Sequence, residues 1–195
     1  MSVTKLKTRQ SILDTGRRIV VAKGYAAVGI NEVLAEAGVP KGSFYYYFDS
    51  KGAFGEAMMK SYFEDYFSTM DGIVADKEKS SAEHLMSYWQ YFYDTQAADD
   101  CQGGCLVVKL GAEISDLSEE MRVATKAGTA MIVERLERMI TDGVADGSVT
   151  VDESPRATAE ALYDLWLGAS LMAKIHSSPD HLDRAMAVTR KVLHV

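Results

Sequence analysis

The chain has 195 residues, 47% of them hydrophobic and 25% charged, with a net charge of −7. That is ample apolar material for one or two packed cores and excludes wholesale disorder. Two Cys exclude a disulfide-dense secreted scaffold. No apolar run approaches the roughly 18 residues that span a bilayer. The polar, basic start MSVTKLKTRQ carries no apolar signal core, so a cytoplasmic location is expected.

Only 3 Pro beside 10 Met point to long, uninterrupted helices. Ile12, Leu13, Gly16, Ile19 and Val20 recur at helical spacing, and Gly24 is placed to cap that first helix in a left-handed conformation. A second helix is predicted from about Ile30 to Ala37, with Ile30, Val33, Leu34 and Ala37 on its apolar face and Gly38 at its end. Pro40 suits the first turn of a third helix holding Ser43, Phe44 and the run Tyr45 to Phe48. Two short helices joined by a tight Gly-containing turn form a helix-turn-helix pattern. A fourth helix runs from about Lys51 to Val74, where Phe54, Met58, Tyr62, Tyr66 and Met70 repeat every four residues.

Ser80 with Glu83 reads as a capping box for a fifth helix ending near Ala97, and Asp99 to Gly104 as a loop. A short sixth helix is predicted from Cys105 to Glu113. Asp116 with Glu119 is predicted to cap a seventh that runs to about Ala145. Ser154-Pro155 and Ser178-Pro179 open the last two, over about 155–176 and 179–193. The expected fold is all-α with about nine helices. A helix-turn-helix domain spans 1–51, and a helical ligand-sensing and dimerisation domain spans 52–195.

The charge is unevenly placed. Residues 1–51 hold eight basic side chains (Lys5, Lys7, Arg9, Arg17, Arg18, Lys23, Lys41, Lys51) against four acidic ones, while the remainder is strongly acidic. A basic unit on an acidic body suits nucleic-acid binding. At the start of the third helix, Gly42 has no side chain to hold DNA off, and Ser43 is a short hydroxyl for phosphate or a base edge. Lys41 and Lys51 bracket that helix and can neutralise phosphates. Tyr45 and Tyr46 offer hydroxyls for phosphate and rings for sugar or a thymine methyl. Phe44 and Phe48 are read as core, and three consecutive tyrosines cannot all face inward.

The segment from Gly24-Tyr25 to Lys51, and above all AGVPKGSFYYYFDSK, resembles the DNA-binding domain of TetR-family transcriptional regulators. The resemblance implies DNA contact by Tyr45, Tyr46, Tyr47 and Lys51, with Asn31 a further contact early in the second helix. Gly29 departs from the Ser or Thr with which many relatives cap that helix, which removes one phosphate contact.

In the body, the helix through Ala161, Leu162, Leu165, Trp166, Leu167, Leu171 and Ile175 is apolar nearly all round. A second subunit is the simplest cover for its outer side. A homodimer through about 155–193 is expected, with Leu162, Leu165, Leu167, Leu171 and Met186 at the interface, and a two-fold dimer suits palindromic operator DNA. Gly103 and Gly104 precede Cys105, where the helix dipole and Lys109 four residues on favour thiolate. Alternatively Cys105 is a small buried hydrophobe. Cys101 is read as a surface residue, with a resolving thiol the other possibility. Lys174, beside Met172 and Ile175, must snorkel, pair, or titrate low.

The segments GCLVVKLGAEISDLSEEMR and LYDLWLGASLMAKI resemble a TetR subgroup holding an electrophile and reactive-chlorine sensor and an acrylate-responsive regulator. This implies that Cys105 is the reactive residue and Lys174 its partner. Ile114 stands where the sensor pattern has another Cys. The expected activity is repression from a palindromic operator, relieved when a small electrophile or oxidant modifies Cys105. The alternative is a reversible effector pocket, acrylate-like or aromatic in ligand, lined by Trp89, Tyr91, Phe92, Tyr163 and Trp166. A cysteine-dependent enzyme built on Cys105, Lys174 and His176 is a distant third, because no nucleophile elbow, phosphate loop or HExxH motif is present. No cofactor or metal is expected.

Overall fold

The computed structural model describes residues 3–195, and nine α-helices make up its framework among the described residues. They are α1 (Val3–Lys23), α2 (Ile30–Glu36), α3 (Phe44–Tyr47), α4 (Lys51–Ile73), α5 (Ser81–Cys101), α6 (Leu106–Leu117), α7 (Glu119–Asp146), α8 (Pro155–His176) and α9 (Asp180–Leu193). The all-α expectation holds, and no strand occurs among the described residues. No helix is long and apolar enough to cross a membrane.

Two compact units divide the chain. One holds the residues up to Asp65 with Lys109–Gly128, and the other holds Tyr66–Val108 with Thr129–Val195.

The core of the first unit is built from Ile12, Leu13, Ile19 and Val20 of α1, Val33 and Leu34 of α2, and Phe44, Phe48 and Phe54. The three Phe rings pack with centroids 5.2 to 5.8 Å apart, within the range in which aromatic pairs attract. Gly16 makes this possible: a Cβ there would sit 2.3 Å from the Phe54 ring. Gly24 (φ +82°) and Gly38 (φ +67°) occupy the left-handed region at the two helix ends where they were predicted.

The third helix is shorter than predicted. Lys41–Ser43 form a 3₁₀ turn, α3 covers only Phe44–Tyr47, and Phe48 is already extended at φ −143°, ψ 128°.

The core of the second unit stacks Trp89 of α5 on Trp166 of α8, centroids 5.1 Å apart and planes 11° apart. Phe92 lies edge-on to Trp166 at 5.6 Å. Leu136, Ile140, Leu182 and Leu193 complete it. The Ser80–Glu83 capping box forms in full, and Ser154 caps α8 by accepting from the Ala157 N–H at 3.2 Å.

Two predicted caps are corrected. Asp116 is still inside α6, and the residue that caps α7 is Ser118, whose Oγ accepts from the Met121 N–H at 3.3 Å. Ser178 stands one residue further out than predicted, because Pro179 itself takes the N-cap position of α9.

Candidate nucleic-acid interface and cysteine site

In the first unit, α3 sends its aromatic side chains two ways. Phe44 is buried, whereas Tyr45 is 71% and Tyr46 57% exposed. Tyr47 is half-buried, 5.0 Å from the Tyr46 ring and nearly perpendicular to it. Two adjacent tyrosine rings are thus left on the surface rather than in the core. Asn31, Lys41 and Gly42 are exposed beside them, and Ser43 is half-buried. A Cβ at Gly42 would meet no atom within 4 Å, so this glycine leaves open surface at the head of α3.

The cations sort themselves. Arg17 pairs with Asp65 at 2.7 Å, Arg18 with Glu36, and Lys23 with Glu32. Lys5, Lys7, Arg9, Lys41 and Lys51 form no ion pair among the described residues. Sequence reading counted Lys5 and Arg9 in the charge but did not assign them to the site. Lys5 donates to the Tyr46 hydroxyl and lies over its ring at 4.7 Å. That hydrogen bond raises the ammonium pKa. Arg9 stacks on Phe48 at 5.2 Å. Their spacing of four residues on α1 was the available signal.

Lys51 is less free than expected. Its ammonium lies 4.8 Å from the Tyr25 ring centroid and 3.5 Å from the Ala26 carbonyl oxygen. The Tyr25 hydroxyl in turn donates to the Lys51 carbonyl at 2.7 Å. Burial, with the Glu120 charge adding to it, pushes the Tyr25 phenol up to about 12. It therefore stays a donor throughout the physiological range.

In the second unit, Cys105 is 6% exposed, immediately before the first residue of α6. It therefore stands at the positive end of that helix's dipole. Burial pushes the Tyr88 phenol up, the Tyr66 hydroxyl at 2.8 Å pulls it partly back, and the Cys105 side chain is close enough to raise it further. Tyr163 is likewise raised by burial first and by Cys105 second. Cys105 thus lies in electrostatic range of two protonated phenols, of which sequence reading had named only Tyr163. Cys101 is buried, not superficial, and no disulfide joins the two cysteines.

The turn that carries Cys101 is unusual. Asp99, Asp100 and Cys101 all have positive φ, at 51°, 54° and 63°. Left-handed backbone at a residue with a Cβ costs roughly 1–2 kcal/mol. Lys109 and Lys174 are half-buried, and Lys174 makes no hydrogen bond or ion pair among the described residues. Trp89, Phe92 and Trp166 are fully buried and packed on one another. The Trp89 indole N–H finds no acceptor among the described residues. No cluster of three or more His, Cys, Asp or Glu able to hold a metal occurs among the described residues.

Of the residues expected at a subunit interface, Leu162 is buried within its own chain, Leu165, Leu167 and Met186 are half-buried, and Leu171 is exposed. Met172, Val188 and Ile175 join Leu171 on the surface, Ile175 at 64% exposure.

Residues 12–58 match the profile described as "Bacterial regulatory proteins, tetR family", and 81–189 match "Tetracyclin repressor-like, C-terminal domain". The chain belongs to the TetR family. It is 35% identical over 190 residues to the HTH-type transcriptional repressor NemR of Escherichia coli, covering 97% of this chain and 96% of that one. It is 33% identical to the transcriptional regulator AcuR of Cereibacter sphaeroides, covering 89% and 79%. The crystal structure of reduced E. coli NemR superimposes with a TM-score of 0.91 at 36% identity, over 96% of this chain and 97% of that chain. These matches place the TetR-family chain in the NemR/AcuR-like subgroup and account for its helical order. They also make it a transcription regulator; regulators of this family are not enzymes.

Proposed function

We propose that this TetR-family regulator is a homodimeric repressor of palindromic operator DNA, released when a small electrophile modifies Cys105. The observation that carries the DNA-binding half is the exposed Tyr45–Tyr46 pair, in a unit where Lys5, Lys7, Arg9, Lys41 and Lys51 form no ion pair among the described residues. Each can neutralise a phosphate and so contribute to affinity and its salt dependence. The exposed stripe Leu171, Met172 and Ile175 on α8, with Val188 on α9, supports the dimer.

The release half rests on Cys105 at the head of α6, among phenols that can donate to a thiolate, and on the likeness to NemR. With an activated alkene such as N-ethylmaleimide, Cys105 loses its proton to solvent and its sulfur forms a C–S bond to the alkene. The π pair moves onto the carbonyl as an enolate, and the neighbouring carbon takes a proton from water. With a hypohalous acid, the sulfur takes the halogen and hydroxide leaves. Water then displaces halide to give a sulfenic acid. Lys174 is assigned as the cationic partner of the modified cysteine.

The test is operator binding by wild type and Cys105→Ser under maleimide titration. Wild type is expected to lose at least about tenfold in affinity as one label is taken up at Cys105, with Cys105→Ser still bound. Release of the Ser variant at the same concentration sinks the thiol switch.

A second reading is favoured by one observation. The buried, unpartnered indole N–H of Trp89 could be satisfied by an acceptor on a reversible ligand, such as a carboxylate. Release of both proteins by acrylate without covalent mass would select that reading.

A further inference from the structure

The turn between α1 and α2 is held from outside its own sequence neighbourhood. The Tyr25 and Ala26 N–H groups donate to the two carboxylate oxygens of Glu113 on α6, at 3.2 Å and 2.7 Å. One carboxylate therefore takes both amides, one on each oxygen, and bonds to an ionised acceptor are the stronger kind. Glu113 forms no ion pair among the described residues, so no cation competes for that charge. Gly24 fits the arrangement, because a Cβ there would sit 3.1 Å from a Glu113 oxygen. On its other side the same turn is held by the Tyr25 hydroxyl on the Lys51 carbonyl. The next element out of the turn is α2, beginning at Ile30, so whatever sets the turn sets how α2 and α3 are presented.

The grip comes from the helix that Cys105 immediately precedes. Glu113 is eight residues after Cys105, about 12 Å along the helix axis. We propose that Glu113 is the positioning residue through which α6 sets the α1–α2 turn, so that a change at the Cys105 end of that helix reaches the DNA-reading helices as the loss of two backbone hydrogen bonds. This rests on the reading of Cys105 as sensor and of α3 as the DNA-contacting helix. A rigid helix has few ways to yield, and a carboxylate bound on both oxygens loses both bonds to a shift of an ångström or so.

The experiment is residue-resolved hydrogen exchange of the Tyr25 and Ala26 amides in the full-length protein, with and without maleimide, in wild type, Glu113→Ala and Glu113→Gln. Protection of both amides in wild type is expected to fall roughly tenfold or more on labelling. Glu113→Ala is expected to lack that protection before labelling and to change little after it. Glu113→Gln, with one carbonyl oxygen left, is expected to fall between and serves if the Ala variant does not fold. In parallel, the Glu113 variants should label at Cys105 as fast as wild type while the labelled and unlabelled forms differ in operator affinity less than tenfold.

Labelling that leaves Tyr25 and Ala26 protected overturns the coupling alone. Wild-type protection in Glu113→Ala overturns the grip itself. Failure of Cys105 to take the label overturns the sensor reading and the coupling with it. If wild type binds no operator, the DNA-binding reading falls, and the two amides still decide the role of Glu113.

Discussion

Trp166 donates its indole N–H to Thr189 Oγ1 at 2.9 Å, and the Thr189 hydroxyl donates to the Ala185 carbonyl at 2.8 Å, all in the buried core of the second unit. Thr189→Val keeps the shape and removes the acceptor, which leaves the indole unpaired at a cost of about 1–3 kcal/mol. The urea midpoint should drop with an unchanged m-value; an unchanged midpoint would show the bond is worth nothing. Gly128 is decided by space instead. A Cβ there would meet the Phe63 ring at 2.2 Å. Ala gains about 1 kcal/mol of helix propensity, whereas overpacking costs about 1–3 kcal/mol. Gly128→Ala should therefore lower the melting temperature, and a rise would mean the Phe63 ring moves freely. Neither pair is visible in the sequence, since 23 residues separate one and 65 the other. Cys101 teaches the same lesson: its polar neighbours Asp99, Asp100 and Gln102 suggest a surface site, yet a left-handed backbone turns its thiol inward.

The start of α5 is an element whose stability responds to pH. Its first amides are satisfied by three side chains. Asp146 accepts from the Ser81 N–H at 3.0 Å, Ser148 Oγ from Ala82 at 3.1 Å and Ser80 Oγ from Glu83 at 3.3 Å. Hydrogen bonds from Ser148 and Ser81 hold Asp146 well below the usual carboxylate range, and those from Ser80 lower Glu83. A carboxylate with a depressed folded-state pKa stabilises above its unfolded value, near 4, and that stabilisation disappears as pH falls toward the folded value. Asp146→Asn should therefore be less stable than wild type at pH 7. The two should converge as pH drops from about 4 toward 2. Parallel urea midpoints across that range would exclude the charge as the cause. The Ser80–Glu83 box was legible because it is local. Asp146 was not, because it arrives from the end of α7. Asp116 looked like a cap at the right spacing, but α6 continues through it and Ser118 takes the role.

For the whole molecule, the exposed apolar stripe on α8 and the exposed Lys41 of the first unit make separate predictions. Leu171→Glu with Ile175→Glu places charges on that stripe and is expected to halve the mass in sedimentation while the single chain stays helical. A dimer that survives would move the interface elsewhere. Lys41→Ala is expected to weaken DNA binding about equally on every sequence and to reduce the salt dependence of log K by about 1 per subunit. A sequence-selective loss would instead assign Lys41 to base contact.

The sequence by itself determined the helical order, most helix ends and the helix-turn-helix motif. These follow from apolar period, capping side chains, Pro and Gly, all of which act within a turn or two of the chain. The aromatic run from Phe44 to Phe48 also sorted itself, because so short a segment cannot turn five rings inward at once. Only the tertiary structure decided what lies next to what. It pairs Arg17, Arg18 and Lys23 with acids while Lys7 and Lys41 form no ion pair among the described residues. It sets Lys51 over the Tyr25 ring and brings Cys105 within electrostatic range of the neutral Tyr88 and Tyr163 phenols. It also lays the Glu113 carboxylate on amides 87 and 88 positions earlier. Such contacts depend on which faces pack together, and packing is a property of surfaces that no local pattern encodes.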